Sequence, residues 1–203
     1  DVPDPVLARE PEQRGERRVE VVFDAEPQLR IGWHVPGTLH DDAPALSVLT
    51  TLLTGGRTSR LHRRLVLEDR LATAVFGSVG PGNRFPTLFT LSAVPRAPHT
   101  PLEVEEAIYQ EVERLAARGP TAAELERVRN RMEAGAVRRL TSNLGLAFQL
   151  SSSAALFGDW AETFRFSSRV TDVGAEDVQR VARQYLTREN RTVATLVPEE
   201  EGR

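Results

Sequence analysis

The sequence predicts an α+β fold in which helices cover one face of a largely antiparallel β-sheet. Three observations lead to this class: short runs rich in branched residues fill the first half of the chain, a long helical region starts near residue 101, and a last strand-like run occupies residues 192–197. We expect residues 15–203 to form one domain, because the last strand should pair with the first ones. Residues 1–14, with interleaved prolines and charges, predict an interdomain linker.

Four strands are predicted before the helical region. Residues 17–23 and 29–35 are rich in valine and isoleucine and are expected to be a strand pair. Residues 73–79 and 88–94 are separated by glycines, a proline and an asparagine, which favour a turn. We therefore predict a four-stranded antiparallel set that the last strand joins.

Two helices are predicted to meet at a glycine corner between the second and third strands. The first begins with a carboxylate cap at Asp41 or Asp42 and ends at Gly55-Gly56. The second is expected to be capped by Thr58 or Ser59 and to run towards residue 69.

The second half of the chain predicts five helices. A Thr-x-x-Glu capping box at Thr121 and Glu124 marks the start of one of them. The five expected ranges are 102–118, 121–139, 144–157, 160–170 and 174–186.

Composition excludes several classes of function. A net charge of −3 over 203 residues gives no global field for nucleic acid, and no apolar run reaches the roughly 20 residues that a bilayer span needs. The absence of cysteine excludes thiolate chemistry, and the absence of lysine excludes a Schiff-base or P-loop lysine. Arginine as the only basic residue type apart from histidine indicates a GC-rich bacterium.

No set of residues predicts an active site. His34, His40, His62 and His99 lack the spacing of a zinc peptidase motif, so we assign no catalytic residue, no metal ligand and no cofactor to this chain. The paired carboxylates Asp41-Asp42 and Glu105-Glu106 are expected on exposed helix faces, which does not suit acid–base catalysis.

One basic cluster is a candidate contact site. It consists of Arg57, Arg60, Arg63 and Arg64, at the start of the second predicted helix. Such a cluster could meet a phosphate, an acidic peptide or an acidic partner surface, or it could serve only solubility.

Several features then occur together: a Gly-Gly-x-x-Ser-Arg-Leu element at residues 55–61, the helix at 65–69 and the long helix at 121–139. In this combination the chain resembles the second, non-catalytic domain of the pitrilysin/insulinase family of zinc peptidases, which includes the mitochondrial processing peptidases. The likeness covers residues 19–197 approximately.

The resemblance implies a pair of similar α+β domains in each half of a clam-like chamber, with zinc held by the first domain. It also implies that an arginine and a tyrosine, seven residues apart in some second domains, help to hold the substrate. Val66 and Thr73 stand at these positions here. Peptide contacts at this site are then expected to be mainly apolar or to come from other residues.

We therefore expect the C-terminal non-catalytic domain of a zinc metalloendopeptidase, which forms a chamber wall while an N-terminal catalytic domain carries the zinc. Its partners would be that domain, or a paralogous catalytic subunit, and a peptide substrate, without nucleic acid or a membrane span. The alternative is a scaffold subunit whose polypeptide has no zinc site at all. The bacterial cytoplasm is the expected location, with the periplasm as the alternative. The start at Asp1 and the internal Met132 suggest an excised piece or a processed product.

Overall fold

The computed structural model describes residues 11–82 and 84–199. Its strands are β1 Arg17–Val22, β2 Gln28–Val35, β3 Ala72–Gly80, β4 Thr87–Pro95 and β5 Arg191–Val197. Its α-helices are α1 Ala43–Thr54, α2 Pro101–Arg118, α3 Ala122–Leu140, α4 Asn143–Phe157, α5 Glu162–Asp172 and α6 Ala175–Tyr185. A π-helix, His62–Glu68, follows the glycine corner.

The five strands form one sheet in the order β1-β5-β2-β4-β3. Three of the four neighbouring pairs are antiparallel, and β1 runs parallel to β5. The predicted α+β class with a largely antiparallel sheet is confirmed. The predicted ranges of all five later helices agree with the structure to within a few residues.

The predicted pairing of the first two strands is wrong. β5 lies between β1 and β2, so that Val193 is paired with Arg18 on one side and with Ile31 on the other. Val193 of β5 is buried, whereas all six residues of β1 are exposed, so β5 takes the inner position in the sheet and β1 lies at its edge. The short connection between the first two strands favoured a hairpin, and their local sequence pattern does not show which strand lies at the edge.

The core lies between the helices and the inner face of the sheet. Strand β2 alternates strictly, with Leu29, Ile31, Trp33 and Val35 buried and the residues between them exposed or half-buried. The indole of Trp33 packs against Phe89 and donates a hydrogen bond of 3.2 Å to the carbonyl of Thr187. A period of two along a strand with one buried face explains this pattern.

The start of the chain lies largely outside the described residues. Of the predicted linker, residues 11–14 are described, and the Gln13 side chain donates a 2.7 Å hydrogen bond to the carbonyl of Arg191. Within the described residues no helix is both long and apolar enough to cross a bilayer.

Candidate functional site

The glycine corner after α1 is set by close backbone packing. A Cβ at Gly55 would lie 2.3 Å from the carbonyl oxygen of Thr51, and Gly56 has a φ of +96°. A larger residue at Gly55 would therefore require a backbone shift, and one at Gly56 would be strained by the positive φ. Ser59 follows as a buried residue, and its hydroxyl donates to the carbonyl of Gly56 instead of capping the next helix as predicted.

Arg60 follows this corner, and its side chain connects the segment after the corner to two helices; we call these contacts the Arg60 clamp. Its guanidinium donates two 2.8 Å hydrogen bonds to the Glu124 carboxylate and one of 3.2 Å to the carbonyl of Gly119. Glu111 lies 3.5 Å away on its other side. Arg60 therefore ties the segment after the glycine corner to α2 and to the start of α3.

Glu124 has two roles in this clamp. Its carboxylate also accepts the backbone N–H and hydroxyl of Thr121, so the predicted capping box is present. Burial alone would raise the pKa of Glu124, but the Arg60 hydrogen bonds and the bond from the Thr121 backbone outweigh it and hold the pKa at about 2. The group is therefore ionised throughout the physiological range.

The structure divides the predicted basic cluster into two kinds of residue. Arg60 and Arg64 point inward, and Arg64 donates a 3.0 Å hydrogen bond to the carbonyl of Ala107. Arg57 and Arg63 are exposed, and Arg63 pairs with Glu68 at 3.3 Å. A contact role for the four as a unit remains a prediction, now with only two of them presented to solvent.

Val66 and Thr73 lie on consecutive elements. Val66 is half-buried on the π-helix and packs against the core. Thr73 is exposed on the edge strand β3, at a register shift between Ala72 and Ala74, and its hydroxyl donates to the carbonyl of Val94 at 3.3 Å. Neither side chain offers a charged or phenolic group to a ligand.

Asp42 is buried, which corrects the prediction that it lies on an exposed helix face. Its carboxylate does not cap α1; it accepts 2.6 Å hydrogen bonds from Arg180 and from the Tyr185 hydroxyl, both on α6. Burial would raise the pKa of Asp42, but Arg180 and then Tyr185 hold it below its usual range. The pKa of Tyr185 is raised by burial and by donation to Asp42.

Glu105 is the second buried carboxylate that the prediction placed on an exposed face. Only 1% of the residue is exposed, and it accepts hydrogen bonds from Arg18 of β1 and, at 2.7 Å, from the Tyr109 hydroxyl. Arg191 of β5 stacks over the Tyr109 ring at 3.7 Å. The contacts of Glu105 and Tyr109 thus join strands β1 and β5 to α2. Arg18 and Glu105 are 87 residues apart, so no local sequence pattern pairs them.

The described residues do not fit a zinc site. Within 11–82 and 84–199 no three histidine, aspartate or glutamate side chains cluster in a way that could hold a metal ion. His34, His40, His62 and His99 lie on β2, before α1, on the π-helix and before α2, respectively. The backbone N–H of Asp42 donates to His40, and the Asp42 carboxylate is occupied by α6, which leaves no cation site there.

The sheet face away from the core is open in the described part of the chain. Val19 and Val21 of β1 are 53% and 46% exposed, and Phe76 of β3 is 64% exposed. Strand register places these side chains on one face, with Val21 beside Leu196 and Phe76 beside Ser92. We call the set Val19, Val21, Phe76 and Leu196 the open apolar face.

Comparison with known proteins identifies the family. Residues 1–132 match the family model described as peptidase M16 inactive domain. Since this match covers more than half of the chain, the chain belongs to the peptidase M16 inactive domain family. The resemblance to a non-catalytic pitrilysin-family domain is thereby confirmed.

Two of the relatives are about twice as long as this chain. A zinc protease PqqE of Helicobacter pylori is 28% identical over 206 residues, which cover 97% of this chain and 44% of that protein. A protease structure from Helicobacter pylori has a TM-score of 0.90 at 26% identity and covers 98% of this chain and 48% of that one. The chain thus spans about half of these relatives.

The third relative is an inactive domain solved by itself. The inactive peptidase domain of a zinc protease homologue from Bordetella parapertussis has a TM-score of 0.77 at 26% identity. It covers 90% of this chain and 97% of that structure. A domain of this kind therefore folds without the rest of its protein in that relative.

Proposed function

We propose that this chain is the C-terminal, non-catalytic domain of a bacterial zinc metalloendopeptidase. In this proposal an N-terminal catalytic domain carries zinc and the general base, and the present domain forms one wall of the chamber that encloses the peptide. The proposal rests on the match of residues 1–132 to the peptidase M16 inactive domain, in a chain that covers only 44% of its relative zinc protease PqqE.

The open apolar face favours a permanent neighbour. Val19 and Val21 are exposed on β1 and Phe76 is exposed on β3, so apolar side chains occur at both edges of the uncovered sheet face. Ala194, Arg30 and Ser92 lie between Val19 and Phe76 in the register, so only a neighbour that spans the whole face would bury both edges. A second domain of the same protein would bury them. The relative named zinc protease PqqE has more than half of its length outside the region that this chain matches, which supports such a neighbour.

The proposed role towards substrate is enclosure. Val66 and Thr73 stand where some relatives are expected to carry an arginine and a tyrosine, and neither can form a charged fork or a long phenolic hydrogen bond. A wall without these groups would hold peptide by apolar contact and by excluding water and folded proteins. Short or unfolded peptides are therefore the proposed substrate class.

Zinc content and peptide cleavage of the complete protein test the enzymatic part of the proposal. We expect one zinc per complete chain and cleavage of an unstructured peptide that a chelator abolishes. Absence of both zinc and cleavage would refute a single-chain peptidase. It would favour the alternative, a scaffold subunit of an active partner, to which the loss of both polar groups at Val66 and Thr73 already points.

A charged substitution on the open apolar face tests whether a second domain packs against it. In the complete protein, Phe76→Asp should lower the free energy of unfolding by about 2 kcal/mol, because a buried phenylalanine contributes roughly that much. Leu102→Asp is the matched control, since Leu102 is 58% exposed at the start of α2. Equal effects of the two substitutions would mean that the open apolar face has no partner domain.

The proposed location is the bacterial cytoplasm, with the periplasm as the alternative. A structure described as the periplasmic protease PqqL of Escherichia coli shares the fold, with a TM-score of 0.69 at 17% identity. Fractionation of cells that express the complete protein distinguishes the two compartments.

A further inference from the structure

A cleft rich in arginine lies where the turn between α2 and α3 meets the π-helix. Its volume is about 420 Å³, within the size range of small-molecule sites. Arginines Arg60, Arg63, Arg114, Arg118 and Arg127 and the carboxylates Glu111 and Glu124 contribute the charges of its lining. Five positive and two negative side chains give the lining a net charge of +3.

Both carboxylates of the cleft are already neutralised. Glu124 is held by Arg60, and Glu111 lies between Arg60, Arg64 and Arg114 at 3.5, 3.7 and 3.3 Å. Neither group therefore needs a cation from solution. The two carboxylates at the bottom of the cleft are balanced by the arginines that pair with them. The excess positive charge of the lining therefore comes from the other arginines, at the edge, or rim, of the cleft.

Two rim arginines are available to a ligand. Arg118, in the last turn of α2, and Arg127, on α3, are exposed and form no side-chain hydrogen bond or ion pair within the described chain. Arg63 is more than half exposed and has only a surface pair with Glu68. Such a pair contributes little in water, so Arg63 can turn to a bound anion at small cost.

We propose that this cleft binds a small oxyanion that carries several negative charges. Planar guanidinium groups recognise phosphate and carboxylate oxygens through paired hydrogen bonds, which suits a rim of three free or weakly paired arginines. None of the ten lining residues is aromatic, so the cleft has no platform on which a nucleobase could stack. Recognition would rest on charge and oxygen geometry, shared by polyphosphates and polycarboxylates.

Calorimetric titration of the complete protein with tripolyphosphate, and separately with citrate, tests the site. We expect one anion per chain and a dissociation constant that rises with salt, because exposed charges are screened. The double substitution Arg118→Ala and Arg127→Ala should weaken binding at least about tenfold, which corresponds to ~1.4 kcal/mol. Both side chains are exposed and neither forms a hydrogen bond or ion pair within the described residues, so the variant is expected to fold normally.

The control variant removes two positive charges outside the cleft. Arg57→Ala with Arg96→Ala deletes two exposed arginines that do not line the cleft and should change the dissociation constant less than about twofold. Equal weakening by both double variants, or no binding of either anion at millimolar concentration, overturns the proposal. Binding of an acidic peptide but of neither small anion overturns it as well.

The two titrations also distinguish the source of the oxygens. Tighter binding of tripolyphosphate identifies a phosphate ligand, and tighter binding of citrate identifies a polycarboxylate; either result supports the site. Both anions chelate zinc, so the complete protein is first stripped of metal with a chelator that is then removed by dialysis. Anion binding is then measured without zinc or cleavage, and its outcome does not depend on the peptidase proposal.

Discussion

Replacement of Arg60 by methionine removes the clamp that joins the glycine corner to α2 and α3. The substitution Arg60→Met keeps an apolar stem and deletes the two 2.8 Å hydrogen bonds to Glu124 and the bond to the Gly119 carbonyl. The Glu124 side chain, 13% exposed, and the Glu111 side chain, 7% exposed, would then lose their shared cation.

Arg60→Met is expected to lower the free energy of unfolding by about 2–3 kcal/mol at neutral pH. Removing one partner of a buried ion pair costs roughly 3–5 kcal/mol, and the Thr121 hydrogen bonds and residual exposure of Glu124 reduce it here. For a domain of this size that corresponds to a fall in melting temperature of roughly 5–10 °C.

Acidification should reduce the difference in free energy of unfolding between the wild type and Arg60→Met. The pKa of Glu124 is about 2 in the folded protein against an ordinary value of 4.5, so its stabilising effect is complete above pH 4.5 and is lost as pH falls towards 2. Without Arg60 the folded-state pKa rises, and the variant loses less on acidification. The difference in free energy of unfolding between the wild type and the variant should therefore decrease as the pH falls from about 5 to about 3.

Urea unfolding followed by far-ultraviolet circular dichroism measures both effects. Arg63→Met is the control, because Arg63 and its partner Glu68 are each 57% exposed, and it should cost less than about 0.5 kcal/mol. If the two variants were equally stable, or if the gap for Arg60→Met stayed constant with pH, the clamp would not have the energetic role inferred from its geometry.

Three further predictions concern stability. Gly55→Ala should destabilise the chain by about 1–3 kcal/mol, because its Cβ would lie 2.3 Å from a carbonyl oxygen, whereas Gly15→Ala, with nothing within 4 Å, should be neutral in the same urea titration. Asp42→Asn should cost about 1–2 kcal/mol at pH 7, and less as acid removes the Asp42 charge, whose pKa is lowered in the folded state; a pH-independent cost would contradict the ion pair. Val66→Arg should lower the melting temperature because Val66 packs on the core, while Thr73→Tyr, on an exposed edge, should leave it unchanged; equal losses would contradict this placement.

Local chemistry made most elements predictable. The capping box at Thr121 and Glu124, the glycine corner and the periodic apolar positions each depend on residues within a few positions of one another. For this reason the helices were located to within a few residues. The likeness to a non-catalytic peptidase domain was equally readable, because its motif lies in one short segment.

The burial of charged residues was not predictable in the same way. Asp42 and Glu105 stand beside other carboxylates in the sequence, which is typical of solvated helix faces. Their partners Arg180 and Arg18 lie 138 and 87 residues away, and only the packed structure brings the charges together. The basic cluster was misleading for the same reason, because two of its four arginines turn inward.

The sequence by itself determined the fold class, the helices and the family, since these follow from patterns that neighbouring residues create. Only the tertiary structure decided the insertion of β5 between β1 and β2, the buried ion pairs and the arginine-rich cleft. Each of these is a contact between distant segments, and its free energy depends on exclusion of water by the whole packed domain.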